Sequence, residues 1–119
     1  MGHTYADITI HGRDLTRSKR IRLLVDTGST YTWVGSNLLR ELAIQPLKER
    51  EFRTVEGRKP RRRVGEALIE AFGEKATTIV VFAERSDARV LGVHALEGLG
   101  LQLDPTANKL KKVRAVLAV

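Results

Sequence analysis

The sequence contains no cysteine, only three prolines and few aromatic residues, which make up 5% of the chain. The absence of cysteine excludes disulfides, thiolate nucleophiles and cysteine-based zinc sites. The longest apolar runs, Ile79 to Ala83 and Ala115 to Val119, are much shorter than the roughly 20 residues that a membrane helix requires. We therefore expect no membrane contact. We interpret Trp33 and the other aromatic residues as core residues rather than as platforms on which nucleic-acid bases stack.

Signals for targeting and for common catalytic or cofactor sites are also missing. The N-terminal residues do not form a basic segment followed by an apolar one, as a secretory signal does. We therefore predict no secretory signal and expect a cytoplasmic protein. His3, His11 and His94 lack the spacing of metal ligands. Ser29 does not lie in a Gly-x-Ser-x-Gly motif, and no phosphate-binding loop with Gly-Lys-Ser/Thr occurs. We accordingly expect no metal and no cofactor.

The length and composition indicate one folded domain that comprises residues 1–119. With 42% hydrophobic residues, the chain can form one packed core but is too short for two ordinary domains. Its net charge is +7, and the segment from Lys48 to Arg63 contains eight basic and three acidic residues. Such a segment is consistent with a solvated hairpin, but it can also attract nucleic acid or acidic peptides. Both interpretations stay open at this point.

The pattern of apolar residues predicts a mostly-β fold with two short helices. Tyr5 to His11 alternates polar and apolar residues, as a half-buried strand does. Further strands are predicted at Arg20–Val25, Tyr31–Val34, Phe52–Val55, Arg61–Ala71, Ala76–Phe82, Leu101–Asp104 and Leu110–Val119. Helices are predicted from Ser36 to Ala43, with Ser36 as N-cap, and from Val93 to Leu99, ending at Gly98 or Gly100.

The most informative feature is a polar loop that directly follows three apolar residues, Leu23-Leu24-Val25. The first residue of this loop, Asp26, carries a carboxylate that is costly to bury without hydrogen-bond donors. Gly28 allows backbone N–H groups to approach it, and the hydroxyls of Thr27 and Ser29 are further donors. A carboxylate held in this way is a candidate general acid or base. Taken alone, Asp-Thr-Gly is also common turn chemistry, in which the aspartate simply caps the turn.

Three features, in the right order, resemble the aspartic peptidase family. The segment Leu24–Ser29 resembles the active-site signature of apolar residues followed by Asp-Thr-Gly-Ser. The hairpin at Phe52–Val64 resembles the flap of these enzymes, and Val90-Leu91-Gly92 resembles their second glycine landmark, which precedes the C-terminal helix. The chain length is similar to that of the single-domain, retropepsin-like branch, and the segment from Val90 to Pro105 is similar to small prokaryotic members.

This resemblance implies a retropepsin-like protomer, that is, a closed β-barrel with one or two short helices. The sequence has one Asp-Thr-Gly, whereas the family requires two facing carboxylates, so the resemblance implies a homodimer with its active site at a two-fold interface. Asp26 is then one half of the catalytic pair, and the substrate is a peptide or protein. By the same resemblance, Thr27 bonds across the interface and Gly28 presents its backbone to the site. Ser29 stands where retroviral enzymes usually have alanine, and our hypothesis is that its hydroxyl donates to the carboxylate and favours the ionised form.

The predicted flap, with Val55, Glu56, Gly57 and Arg58 as its substrate-binding residues, departs from the family pattern. Retroviral flaps have an apolar, glycine-rich tip, whereas this tip has one glycine among charged residues and is followed by Pro60. The arginines suggest a preference for acidic or polar peptides, or a different role for the hairpin, such as holding a partner. The alternatives to an aspartic endopeptidase are therefore a binding module without useful turnover and, less favoured, a basic nucleic-acid-binding β-domain.

Overall fold

The computed structural model describes residues 3–115 and 118, and within them strands predominate over two short helices. The prediction of a mostly-β fold is confirmed. The strands are β1 Tyr5–His11, β2 Ser18–Val25, β3 Thr32–Gly35, β4 Lys48–Glu51, β5 Arg61–Ala71, β6 Glu74–Ala83, β7 Val90–Leu91, β8 Leu101–Asp104 and β9 Lys109–Lys112. The helices are α1 Ser36–Glu41 and α2 Val93–Leu99. Neither helix of the described residues has the length and apolarity that crossing a membrane requires.

The first hairpin shows how the alternating sequence produces the core. In β1, Ala6, Ile8 and Ile10 are buried while the residues between them are exposed or half-buried. β1 pairs antiparallel with β2 from Tyr5 opposite Leu24 to His11 opposite Ser18. Each fully buried isoleucine stabilises the fold by about 1.5–3 kcal/mol through the removal of apolar surface from water. The two-residue period therefore points one face of this hairpin into the core.

The main sheet has seven strands in the order β1-β2-β7-β3-β6-β5-β4. β1 also pairs with β5, so six of these strands form a ring and β4 extends it at one side. Two pairings are parallel, β2 with β7 and β3 with β6, and the others in this sheet are antiparallel. A parallel pairing requires a long connection between its strands, so residues distant in sequence meet here. Strands of the ring supply many side chains of the main buried apolar cluster, and the two helices and β8–β9 supply others.

The first arm of the predicted flap is placed differently from the prediction. Phe52 to Val55 is not a strand; the strand in this arm is β4, which ends at Glu51. All four residues of β4 are exposed, so the sequence Lys-Glu-Arg-Glu has no apolar alternation that could indicate a strand. β4 instead forms through backbone pairing with β5. Beyond it, the backbone N–H of Arg58 donates to the Thr54 hydroxyl, and a local turn replaces the extended chain.

The helix ends agree with the prediction for α2 but not for α1. α2 ends at Gly100, which has the left-handed φ of 70° that favours glycine at a helix end. Ser36 is the first residue of α1 and Gly35 is its N-cap. The Ser36 hydroxyl donates to the Ala83 carbonyl, and it accepts no capping hydrogen bond from the helix backbone N–H groups. α1 also stops before Ala43, whose φ of 59° is incompatible with a continued right-handed helix.

The C-terminal strand is shorter than predicted. β9 comprises Lys109–Lys112 and pairs with the four-residue β8, and among the described residues no other strand pairs with it. The backbone N–H of Val113 donates to the Gly100 carbonyl, and residues 113–115 are not in a strand. Val116, Leu117 and Val119, which belong to the predicted strand Leu110–Val119, lie outside the described residues.

Candidate active site

The loop that begins at Asp26 is held by backbone hydrogen bonds on both sides of the carboxylate. Leu23 and Val25 are buried, and the chain emerges at Asp26, whose backbone N–H donates to the Leu91 carbonyl at 3.0 Å. The Gly28 N–H donates to Asp26 Oδ1 at 2.9 Å, as the sequence predicted for a carboxylate next to this glycine. Among the described residues, no group donates to Asp26 Oδ2. The two carboxylate oxygens are thus held differently, since only Oδ1 accepts a hydrogen bond from the described residues.

The loop is open to solvent in a single chain. Asp26, Thr27 and Gly28 are all exposed, so the rest of the described chain does not bury the carboxylate. The Ser29 hydroxyl donates to the Tyr31 carbonyl at 2.8 Å, not to Asp26. The prediction that Ser29 supplies a donor to the carboxylate is therefore wrong for this structure. The physical reason is that the carbonyl two residues further along the chain already accepts the hydroxyl hydrogen.

The second glycine landmark lies directly against this loop. β7 is inserted between β2 and β3, with Leu24 opposite Val90 and Val25 opposite Leu91, and Val90 and Leu91 are both buried. A Cβ atom at Gly92 would overlap the carbonyl oxygens of Tyr31 and Ser29, so only glycine fits there. The resemblance therefore has a structural basis, because the glycine lets this strand pass behind the loop that carries Asp26.

Further hydrogen bonds join the landmark, the loop and α2 into one unit. The Gly92 N–H donates to the hydroxyl of the fully buried Thr32 at 3.0 Å. The next two backbone N–H groups, of Val93 and His94, donate to the carbonyls of Ser29 and Thr30 at 2.8 and 3.0 Å. The first turn of α2 is thus attached to the Asp26 loop, and the position of Asp26 depends on both.

Asp26 opens into a cleft of about 710 Å³ whose other side is the predicted flap. Of the predicted flap residues, Val55, Glu56 and Arg58 line this cleft together with Asp26. Gly57 does not line it, but its φ of 89° forms the turn at the hairpin tip. The Val55 side chain is completely exposed, so the tip does present one apolar group. The structure therefore brings the predicted flap residues to the same cleft as the Asp-Thr-Gly loop.

A comparison with known protein families agrees with this geometry. The family model described as aspartyl protease matches residues 6–95, which is more than half of the chain. The chain belongs to the retropepsin-like aspartyl protease family. The matched region includes the Asp26 loop, the hairpin, β7 and the start of α2, so the predicted resemblance is confirmed. A search among curated proteins gave no match.

The cleft has an aromatic wall that the sequence interpretation missed. Trp33 is half-buried and lines the cleft, so its assignment to the core is corrected. Its ring lies 5.1 Å from that of Phe52 in the hairpin, and the Tyr31 ring lies 6.2 Å from Phe52, both in edge-to-face geometry. Thr32 and Val34 are buried, so the two-residue period already places Tyr31 and Trp33 on the opposite face. That alternation is the signal that could have located this wall.

The cleft also contains a shielded ion pair that no sequence motif indicates. Arg62 in β5 donates through Nε and Nη2 to the two carboxylate oxygens of Asp87 at 2.7 and 3.0 Å. The two side chains are only 14% and 15% exposed. The hydrogen bond from Arg62 lowers the pKa of Asp87 below its ordinary value, and the same bond raises the pKa of Arg62. Both residues therefore stay charged, although partial burial opposes this.

The charges that line the cleft are balanced. The four arginines are Arg50, Arg53, Arg58 and Arg62, and the four carboxylates are Asp26, Glu51, Glu56 and Asp87. The remaining basic residues of the hairpin, Lys48, Lys59, Arg61 and Arg63, do not line the cleft. The basic excess of this segment thus lies outside the cleft, and the preference for acidic peptides stays a prediction. In the described part of the chain, no three potential metal ligands are grouped together.

Proposed function

We propose that the protein is a homodimeric aspartic endopeptidase in which Asp26 of each protomer supplies one of two catalytic carboxylates. The observation that carries the proposal is the construction of the Asp26 loop. One carboxylate oxygen is fixed by the Gly28 N–H, the backbone of Asp26 is anchored to β7, and Asp26 lines the cleft beneath the hairpin. Membership of the aspartyl protease family supports the same reaction.

The need for a second copy follows from the single Asp-Thr-Gly in the chain. The exposed surface of Asp26, Thr27 and Gly28 is available to a partner, and a two-fold axis beside it would bring the two carboxylates together. In this arrangement the Thr27 hydroxyl of each protomer bonds to the loop of the other. We take residues 1–119 as one domain and the six-stranded ring as its closed barrel, which forms one half of the enzyme.

The chemistry follows from the closeness of two like charges. Carboxylates about 3 Å apart share one proton and titrate as a pair. The ionised carboxylate takes a proton from a water molecule, whose oxygen attacks the carbonyl carbon of the scissile peptide bond. The protonated carboxylate donates to the carbonyl oxygen, and a proton transferred to the leaving nitrogen allows the carbon–nitrogen bond to break. No covalent intermediate with the enzyme forms.

The hairpin and the aromatic wall account for peptide binding in this proposal. Val55, Glu56, Gly57 and Arg58 form the tip that covers a bound peptide. Trp33 and Phe52 present apolar ring surface along the same cleft and would bury an apolar side chain of the substrate. Cytoplasmic location and relation to the small prokaryotic enzymes stay predictions.

The test is cleavage of a mixed peptide library from acid to neutral pH by the wild type and by Asp26→Asn, with and without a statine-type inhibitor. The matched control is Asp104→Asn. Like Asp26, Asp104 accepts a hydrogen bond from the backbone N–H of the residue two positions later, here Thr106 at 3.0 Å, but Asp104 does not line the cleft. The proposal expects cleavage that the inhibitor blocks, that Asp26→Asn lacks and that Asp104→Asn retains. A folded dimer that cleaves nothing at any pH would contradict it and favour a peptide- or partner-binding module on the same fold.

A further inference from the structure

The second arm of the hairpin is connected to the facing wall of the cleft by the Arg62–Asp87 pair. Arg62 lies at the start of β5, opposite Arg50 of β4, so it moves with both arms of the hairpin. Its two hydrogen bonds to Asp87 form a bidentate contact, which fixes the orientation of the guanidinium group relative to the carboxylate as well as the distance between them. The third guanidinium nitrogen, Nη1, donates to the Arg61 carbonyl at 2.8 Å. The whole guanidinium group is therefore held in one orientation.

The loop that carries Asp87 is braced independently of Arg62. The Asp87 N–H donates to the Glu84 carbonyl at 3.0 Å, and the Glu84 N–H donates to Asp87 Oδ2 at 2.8 Å. Arg89 Nη1 donates to the carbonyls of Glu84 and Arg85 at 2.9 and 3.2 Å. This loop leads directly into β7, which packs against the Asp26 loop. Asp87 is thus a rigid acceptor whose position is defined relative to Asp26.

A neighbouring ion pair shows that this construction is not a general feature of the hairpin. Arg61 and Glu49 are joined by one contact of 3.1 Å, and their side chains are 60% and 53% exposed. Such a pair is screened by solvent and contributes little to stability. The Arg62–Asp87 pair is bidentate and shielded, but removing two charges from water is costly, so net stabilisation does not explain it well. Its distinguishing property is that it fixes the position of the hairpin relative to the loop that carries Asp87.

We propose that Arg62 and Asp87 are a positioning pair, which holds the hairpin in place across the cleft from Asp26 so that a peptide is bound in the correct position. The part of this inference that concerns peptide binding rests on the proposed function; the part that concerns the hairpin does not. The pair acts through the hairpin and takes no part in proton transfer.

The pH dependence of the pair follows from the lowered pKa of Asp87. Because the pKa of Asp87 is lowered in the folded protein, its contribution is fully present above the ordinary pKa of an aspartate. That contribution is lost only as the pH falls through the lowered pKa of the folded state. The other groups that face Asp87 are the partly exposed Glu84 carboxylate, 3.6 Å from Arg62, and the positive charge of Arg89. The hairpin therefore stays attached at pH values that protonate ordinary carboxylates.

The kinetic test compares Asp87→Asn and Arg62→Gln with the controls Glu49→Gln and Arg61→Gln on one cleaved peptide. Loss of charge-assisted hydrogen bonds is expected to raise KM about tenfold with little change in kcat, because positioning is lost but the carboxylate pair is intact. The controls should keep both constants. Arg62→Lys retains the charge but not the bidentate contact, so an intermediate KM is expected. An unchanged KM in Asp87→Asn and Arg62→Gln would overturn the proposal. If these two variants do not fold, an unchanged KM in Arg62→Lys would overturn it.

A second readout needs no catalysis and separates this inference from the proposed function. Trp33 is the single tryptophan, and its ring lies 5.1 Å from Phe52 of the hairpin, so its fluorescence reports on the hairpin position. Asp87→Asn should shift the Trp33 emission and accelerate amide exchange at Thr54 and Gly57, whose N–H groups bond within the hairpin. The β5–β6 amides should exchange as before. If these changes occur in a protein that cleaves no peptide, they support the positioning role of the pair, while the absence of cleavage refutes the proposed peptidase function. If emission and exchange are unchanged in an enzyme that cleaves peptides, only the positioning role is refuted.

Discussion

The Asp26 loop and the hairpin face each other across one cleft, but they are held in place by different means. The loop is fixed by short backbone hydrogen bonds to β7 and α2, and Gly92 packs against it where no other residue fits. The hairpin is largely exposed and is held by β4–β5 pairing, by aromatic contacts and by the Arg62–Asp87 pair. A reaction that needs fixed carboxylates under a cover that admits substrate requires this combination.

The largest expected effect tests the close packing of the loop. Gly92→Ala should destabilise the protein by about 3 kcal/mol or more, because the new methyl group would displace the backbone at Ser29 and Tyr31. The comparison variant in the hairpin is Gly57→Ala, where no heavy atom lies within 4 Å of the added Cβ. There only the positive φ is unfavourable, and a loss of about 1 kcal/mol is expected. Urea unfolding of both variants measures the difference, and equal losses would contradict this account.

A smaller effect is expected for the aromatic contact between the two sides. Phe52→Ala removes the edge-to-face contacts to Trp33 and Tyr31, which contribute about 0.5–1.5 kcal/mol each beyond the buried area. We expect a changed Trp33 emission, a raised KM and an almost unchanged kcat. Val55→Ala is the control for stability, since Val55 is fully exposed and its truncation should leave the free energy of unfolding unchanged. Phe52→Ala kinetics that show a lower kcat at constant KM would mean that the hairpin affects the chemistry directly.

The smallest effect is expected at Ser29. Because its hydroxyl donates to the Tyr31 carbonyl and not to Asp26, Ser29→Ala should lose about 1 kcal/mol of stability and keep the pH–rate profile of the wild type. The measurement is kcat/KM across the active pH range together with urea unfolding. A displaced pH optimum would show that the hydroxyl bonds to the carboxylate pair in the dimer, and the loop geometry described above would need revision.

The parts of the fold that could be predicted are those with a local signal. The alternation in Tyr5–His11 marks β1, Gly100 ends α2, and the Asp-Thr-Gly-Ser motif with Val90-Leu91-Gly92 identifies both components of the loop unit. β4 could not be predicted, because its four residues are all exposed and only pairing with β5 makes them a strand.

The unpredicted parts of the site depend on distant residues. Arg62 and Asp87 are separated by 25 positions, and nothing in the spacing of these two charges marks them among the other charged residues of the chain. Trp33 has a local signal in its alternation with buried neighbours, but its function as a cleft wall depends on Phe52, which the fold brings to it. The ion pair and the aromatic wall therefore form only because the fold brings residues distant in sequence together.

The central claim, that one active site needs Asp26 from two protomers, is tested most directly by mixing wild-type and Asp26→Asn protein, unfolding and refolding them together, and measuring peptide cleavage. If each site uses both carboxylates, only dimers of two wild-type chains are active, so an equal mixture should retain about one quarter of the activity of the same total amount of wild type. Activity of about one half at equal mixing, in linear proportion to the wild-type fraction, would contradict the shared pair and show that each chain acts alone.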